Sequence, residues 1–177
     1  KDVPVNTDLV KLLESNNIEY IIDEWGSVSN KFYNIILPGS SGKFVTAHHD
    51  IVNPASDNAN DNSASVINAI MTKINLPSTT VILLDGEEIG GKGSQRASEK
   101  INAGEYGNCD WILNFELTGK GGHHFFIGNN KNILNDHIKS LFNCPVVHTP
   151  FNDSVIFNNN GIISTVINPL PPLSKEE

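Results

Sequence analysis

Short, wholly apolar runs alternate along the chain with stretches in which apolar residues recur at helical spacing. Val81 to Leu84 has no polar position, which is typical of a strand covered on both faces of a sheet. Val66, Ile70 and Ile74 follow helical spacing instead. Together with turn signals, these patterns predict strands at 32–37, 44–47, 81–84, 111–117, 124–127, 145–147 and 162–167, and helices at 6–16, 63–74, 94–103 and 132–142.

The order of these elements predicts the fold class. Strands that alternate with helices favour a mostly parallel sheet with helices on both of its faces. We therefore expect an α/β fold, a three-layer α/β/α sandwich with a mostly parallel mixed sheet, formed by residues 1–177 as a single domain.

Composition narrows the classes of function. Hydrophobic residues make up 38% of the 177 residues, enough for a core, so a disordered chain is excluded. The net charge of −8 argues against a nucleic-acid or acidic-membrane partner, and no apolar run approaches the ~20 residues of a membrane-spanning helix. Two cysteines are too few for a disulfide framework. No secretory signal is visible, so a cytoplasmic location is favoured, and the oligomeric state is left open.

Histidines and carboxylates follow four of the predicted strands directly. His48 and Asp50, the pair Glu87 and Glu88, Glu116, and His148 each come after a separate apolar run. In open α/β sheets, ligands bind beyond the carboxyl ends of the strands. A further acid, Asp61, lies in a polar loop just before a predicted helix. We expect these side chains to meet at one edge of the sheet.

Such a cluster needs cations. Asp61, Glu87, Glu88 and Glu116 would repel one another if brought together, and two divalent ions would offset their charge. Imidazole and carboxylate are ligands that Zn²⁺ accepts well, with Mn²⁺ or Co²⁺ as alternatives. In this interpretation His48 binds metal, and Asp50 accepts its other ring N–H and fixes the tautomer.

Each of these signals also has an ordinary structural interpretation. His48 and Asp50 could be a surface pair, Glu87 and Glu88 a solvated turn, and Asp61 a helix N-cap. The occurrence of all these residues in this order, directly after predicted strands or in the loop before a helix, favours a functional site over these separate interpretations.

Two other site classes are excluded. Residues 86–93 nearly match a phosphate-binding loop, but Gly93 stands where that loop needs Ser or Thr, and its two carboxylates would repel phosphate. An HExxH zinc-protease motif is absent from the sequence.

The ordered motifs resemble those of a known family, the co-catalytic di-zinc exopeptidases, which include bacterial leucyl aminopeptidase, glutamate carboxypeptidase and the glutaminyl cyclases. The motifs that carry the resemblance are residues 48–50, 61–65, 85–94 and 114–116. The resemblance implies that His48 and Glu116 hold one metal, that Asp61 bridges two metals, and that Glu88 holds the second metal with a late histidine. It also implies that Glu87 is the general base and that the peptide after Asp61 is cis.

The sequence departs from the family at that late histidine. The family's last histidine lies in a Ser-Asp-His segment, and Ser154 occupies its position here. His148 is the best substitute, His123 and His124 are the fallbacks, and His137 is expected on a helix surface.

The predicted function is that of a zinc-dependent aminopeptidase acting on short peptides through a metal-bridged hydroxide, with Glu87 as the base. A related amidohydrolase or deacetylase, a glutaminyl cyclase and a non-catalytic binding relative of the same fold remain alternatives.

Overall fold

The computed structural model describes residues 6–51, 59–119, 126–128, 132–149 and 151–169. Eight strands form one mixed sheet in the order β1-β2-β4-β3-β5-β8-β6-β7. The strands are β1 (Ile21–Ser27), β2 (Asn30–Leu37), β3 (Lys43–His48), β4 (Thr80–Leu84), β5 (Trp111–Phe115), β6 (Phe126–Gly128), β7 (Val146–Val147) and β8 (Ser164–Asn168).

The centre of the sheet is parallel. Strand β3 pairs in parallel with β4 on one side and with β5 on the other, and β5 pairs in parallel with β8. The pairs β1–β2, β2–β4 and β6–β8 are antiparallel. The carboxyl ends of β4, β3, β5 and β8 therefore meet at the same edge.

Helices cover both faces of this sheet. They are α1 (Thr7–Ser15), α2 (Ala64–Asn75), α3 (Lys92–Asn102), α4 (Ile133–Leu141) and α5 (Asp153–Asn159). Leu13 of α1 and Ala69 of α2 pack on one face together with Val45. Ala97 of α3 and Phe157 of α5 pack on the other face. Successive side chains of a strand point to opposite faces of the sheet, so strands β3, β4 and β5 contribute to both clusters. A third cluster joins Ile138 of α4 to Leu113 and Ile167.

The three-layer α/β fold expected from the sequence is confirmed. All five residues of β4 are buried, as its unbroken apolar run predicts. Two elements were missed, β1 and α5. Strand β1 is an edge strand that is mostly exposed, so it carries little apolar signal. Helix α5 is only seven residues long. No helix in the described ranges is long and apolar enough to cross a membrane.

Candidate metal centre

Three neighbouring parallel strands bring the central residues of the site together. His48 is the last residue of β3, Glu116 follows β5, and Glu87 and Glu88 lie in the turn after β4. The backbone N–H of Glu116 donates to the carbonyl of Ile167 on β8, at 3.1 Å, which fixes the end of β5. The sheet register therefore delivers an imidazole between carboxylates from both sides, as the sequence predicts.

Asp61 reaches the site from an irregular turn that precedes α2. The peptide between Asp61 and Asn62 is cis, as the resemblance implies. The buried side chain of Asn62 donates to the carbonyl of Phe115 at 3.3 Å and accepts from the backbone N–H of Leu117 at 3.1 Å. Asn62 thus ties the turn that carries Asp61 to the strand end that carries Glu116.

The imidazole of His48 lies at the centre of the cluster and is 1% exposed. Its Nε2 is 3.1 Å from Asp61 Oδ1 and 3.4 Å from Glu116 Oε1. Asp61 is half exposed, whereas Glu116 is buried. One nitrogen that faces two carboxylates from different elements is an arrangement in which a cation can take the place of the proton between them.

Asp50 organises the opposite side of His48. Its Oδ1 lies 3.4 Å from His48 Nδ1. The same carboxylate accepts the backbone N–H of Glu87 at 3.1 Å and that of Glu88 at 3.2 Å. Asp50 therefore positions the turn that carries both glutamates and places a carboxylate beside the imidazole. That it fixes the tautomer of His48 stays a prediction.

Without metal, the pKa values of His48, Glu87 and Glu88 are raised. Burial opposes a charged imidazole, but Asp50 and Glu116 outweigh it and raise the pKa of His48 to about 12. Burial, followed by the charge of Asp153, raises the pKa of Glu87 to about 8. Burial also raises the pKa of Glu88. Glu87 and Glu88 therefore hold their protons more tightly than ordinary carboxyl groups do, and a bound cation would displace those protons.

Asp153, at the start of α5, is a site residue that sequence reasoning missed. Its side chain is fully buried, and neither oxygen accepts a hydrogen bond of ordinary geometry in the described part of the chain, although the nearby Ser94 hydroxyl acts to lower its pKa. Its charge acts on His48, Glu87 and Glu116, and burial raises its own pKa to about 7. The sequence departs from the family at Ser154, and the acid directly before it, Asp153, is the residue type from which this part of the site could be predicted.

The residues present fit a divalent ion. Ligand atoms of His48, Asp61 and Glu116 lie within 4.8 Å of one another, and so do those of His48, Glu87 and Glu88. Glu116 Oε2 is buried without a hydrogen-bond partner in the described residues, and a bound cation would satisfy it. Imidazole plus carboxylate is a donor set that suits zinc. The assignment of individual ligands stays a prediction.

The structure does not bring His148 to the cluster. It is exposed after β7, at the edge of the sheet, and belongs to neither group of ligand atoms. Because β6 and β7 lie beyond β8, the end of β7 is distant in strand order from β3. His137 lies exposed on α4, as predicted. His123 and His124 lie outside the described residues.

Fold and site together define an α/β protein in which a cluster of carboxylates and a histidine, at the carboxyl edge of the parallel strands, has the donor atoms that a metal ion needs. The model of peptidase family M28 matches residues 36–167, which is most of the chain. The chain belongs to peptidase family M28, and the family resemblance seen in the sequence is confirmed. No curated protein sequence matches the chain.

Solved structures share the fold at low sequence identity. The LapA aminopeptidase of Legionella pneumophila superposes with a TM-score of 0.72 at 12% identity, over 93% of this chain and 52% of that one. The zinc aminopeptidase BSAP of Bacillus subtilis gives 0.67 at 19% identity, over 84% and 42%. The glutaminyl cyclase of Fimbriiglobus ruber gives 0.64 at 16% identity, over 92% and 74%. The chain thus spans about half the length of these two aminopeptidases.

Proposed function

We propose that this chain is the catalytic domain of a zinc-dependent aminopeptidase that removes N-terminal residues from short peptides, with two divalent ions in the cluster. The observation that carries the proposal is the position of Glu87. It is a nearly buried carboxylate beside the His48–Asp61–Glu116 group and adjacent in sequence to Glu88. Membership of a peptidase family and the zinc aminopeptidase among the structural relatives support it.

Glu87 is placed to move protons. When bound, the metal supplies Lewis acidity, which polarises the scissile carbonyl and makes a water molecule easier to deprotonate. Glu87 takes the proton of that water at a carboxylate oxygen and later gives it to the leaving amine. Asp50 holds the Glu87 backbone N–H at 3.1 Å, so this base has a fixed position relative to His48. An adjacent Glu88 that binds metal leaves Glu87 free for this role.

The negative charge near the site favours binding of a substrate's free α-amine over binding of its free carboxylate. Asp61 and Glu88 are the more accessible acids of the cluster and can accept the N–H groups of an α-ammonium. A carboxypeptidase needs a cation to hold the terminal carboxylate. Arg96 is already engaged, because Asp23 accepts from its Nε at 2.9 Å and from its Nη2 at 3.0 Å. An aminopeptidase is therefore the better fit.

A panel of substrates tests the proposal. The zinc-loaded protein is assayed with an aminoacyl anilide, the same anilide with its amine acetylated, a peptide with a blocked N-terminus and a free carboxylate, and an N-terminal glutaminyl peptide. We expect turnover of the free-amine anilide and none of its acetylated form. Turnover of the acetylated compound alone would contradict the proposal and favour a deacetylase. Ring closure of the glutaminyl peptide without anilide hydrolysis would favour a cyclase.

Glu87→Gln provides the mechanistic control. Removal of a general base costs about 10²–10⁴-fold in rate. We expect that loss in kcat with unchanged zinc content, because Gln keeps the size of the side chain. Glu99→Gln, an exposed acid on α3, is the matched variant and should change neither quantity. Near-normal turnover by Glu87→Gln would show that the base is assigned to the wrong residue.

A further inference from the structure

The segment 85–93, called the glutamate turn below, carries Glu87 and Glu88 from the end of β4 into the start of α3. Within it, the backbone N–H of Gly91 donates to the carbonyl of Glu87 at 3.0 Å. On the side of the metal cluster, Asp50 accepts the backbone N–H groups of both glutamates at 3.1 and 3.2 Å. These contacts shape the middle of the turn, and its two ends are held by another residue.

Asn34 of β2 binds both ends of the glutamate turn. Its Oδ1 accepts the backbone N–H of Asp85 at 3.1 Å, and its Nδ2 donates to the backbone carbonyl of Gly93 at 3.0 Å. The Asn34 side chain is fully buried. Because a buried polar group without a partner is costly, these two hydrogen bonds strongly favour the closed form of the turn. One amide side chain therefore joins the first residue of the turn to its last.

Gly93 allows the two ends of the turn to approach this closely. A Cβ atom at this position would lie 2.5 Å from the carbonyl oxygen of Asp85, 2.7 Å from the nitrogen of Asp85 and 2.6 Å from Asn34 Oδ1. Two of these atoms belong to the backbone, which cannot move aside as a flexible side chain can. The glycine that breaks the match to a phosphate-binding loop thus has a structural reason, since only glycine fits between Asn34 and Asp85.

Strand β2 is itself fixed beside Asn34. The backbone N–H of Tyr33 donates to Asp85 Oδ2 at 2.8 Å. The carbonyl oxygen of Tyr33 lies 2.9 Å from Nε2 of His49, which directly follows His48. The residue before Asn34 is therefore joined both to the glutamate turn and to the end of β3. Asn34 holds the turn from a position that is fixed relative to the metal cluster.

We propose that Asn34 is a positioning residue, which holds both ends of the glutamate turn and so fixes the Glu87 carboxylate relative to His48, Asp61 and Glu116. The proposal rests on the proposed function for the role of Glu87 as a base, whereas the hold on the turn is a property of the chain without metal. Asn34 acts through the turn and not on the substrate. Such an effect can be large, because a misplacement of about 1 Å that originates far from the chemistry can cost about 10²-fold in rate.

Amide hydrogen exchange of the metal-free protein tests the hold on the turn. In the parent protein, the Asp85 N–H should exchange as slowly as the amides of β3 and β5, although its acceptor is a side chain. Asn34→Leu keeps the approximate size of the side chain and loses both bonds. Relative to the amides of β3 and β5, protection of the Asp85 and Gly91 amides should then fall by about 10-fold or more, since two buried hydrogen bonds are lost.

Thr80→Val is the matched control. Thr80 is buried on β4, and its Oγ1 accepts the backbone N–H of Gly39 at 3.1 Å, at the end of the β2–β4 pair away from the turn. This variant should lose stability and leave the relative protection of the glutamate turn unchanged. Asn34→Ala is the second variant if Asn34→Leu does not fold. Should neither fold, the parent protein still decides the question, because an Asp85 N–H that exchanges as fast as exposed amides would overturn the proposal.

Kinetics separate a positioning role from a merely structural one. With saturating zinc and the free-amine anilide, Asn34→Leu should lower kcat and kcat/KM equally, by about 10²-fold, because the lost geometry matters in the transition state. Thr80→Val should keep the parent kcat. An unchanged kcat in folded Asn34→Leu, or an equal loss of protection at all amides, would overturn the proposal. If the parent hydrolyses no free-amine substrate while exchange in the turn responds as expected, the proposed function is overturned and the hold of Asn34 on the turn is upheld.

Discussion

Replacement of Asp50 by Asn should weaken zinc binding although Asp50 is not assigned as a ligand. The carboxylate accepts two backbone N–H groups, at 3.1 Å from Glu87 and 3.2 Å from Glu88, and it lies 3.4 Å from His48 Nδ1. An amide of the same shape keeps one acceptor oxygen and turns an NH₂ group toward the second donor. It also removes the negative charge that lies 3.4 Å from His48 Nδ1.

The expected magnitude follows from these contacts. A hydrogen bond to a charged group contributes about 1.5–3 kcal/mol, and Asp50→Asn loses one such bond outright. Removing the carboxylate partner of a metal-binding histidine costs about 10–100-fold in metal affinity. We therefore expect the zinc dissociation constant to rise about 10–100-fold and the free energy of unfolding of the zinc-loaded protein to fall by about 2–3 kcal/mol.

The assay is a competition for zinc against a chromophoric chelator, combined with denaturant unfolding of the zinc-loaded protein. Asp23→Asn is the matched control, because Asp23 also has three partners, the Nε and Nη2 atoms of Arg96 and the Tyr106 hydroxyl, but lies on β1. That control should lose stability without a change in zinc affinity. An unchanged zinc dissociation constant in Asp50→Asn would refute the positioning role.

Three further predictions address other parts of the site. Asn62→Ala should lower the free energy of unfolding by about 1–3 kcal/mol and weaken zinc binding, because both hydrogen bonds from the Asp61 turn to the end of β5 are lost. The exposed Asn68→Ala is its control, and equal losses in the two variants would contradict the role of Asn62. The metal-free protein should lose stability as pH rises from about 4 to 8. Burial raises the pKa of Asp153 from 3.8 to about 7 and that of Glu87 from 4.5 to about 8. The folded state therefore keeps these two protons over a pH range in which the unfolded state has lost them. Their contribution to the free energy of unfolding is complete below the ordinary pKa values and is lost as the pH rises through the raised pKa values. The slope is at most about 1.4 kcal/mol per pH unit for each group. In thermal melts, zinc should abolish this dependence of stability on pH. A metal-free protein that becomes more stable as the pH rises over the same range would contradict the prediction. His148→Ala should leave retained zinc unchanged, because His148 is exposed and outside the cluster. Loss of one zinc equivalent in that variant would show that His148 is a metal ligand.

The sequence predicts the centre of the sheet well, because burial on both faces leaves unbroken apolar runs. Strand β4 and the acids that follow it could be read directly from such a run. Because parallel strands end at a common edge, the placement of His48, Glu87 and Glu116 directly after apolar runs predicts that they meet at one edge of the sheet. Edge strand β1 was missed, because an exposed strand is under little pressure to be apolar.

Two parts of the site depend on tertiary structure and could not be predicted from local pattern. His148 follows an apolar run like the other site residues, but β7 lies at the far edge of the sheet, and strand order is not visible in a run of Val residues. Asp153 stands in a polar segment that predicts a turn as well as a helix start. Its complete burial depends on the packing of α5 against α3 and β8, which local pattern does not reveal.

Anomalous diffraction at the zinc absorption edge, from crystals of the protein dialysed after zinc loading, tests the central claim most directly. The account predicts a strong peak within about 2.0–2.2 Å of His48 Nε2 and of oxygens from Asp61 and Glu116, at ordinary zinc–ligand lengths. The absence of a peak among these three side chains would contradict it.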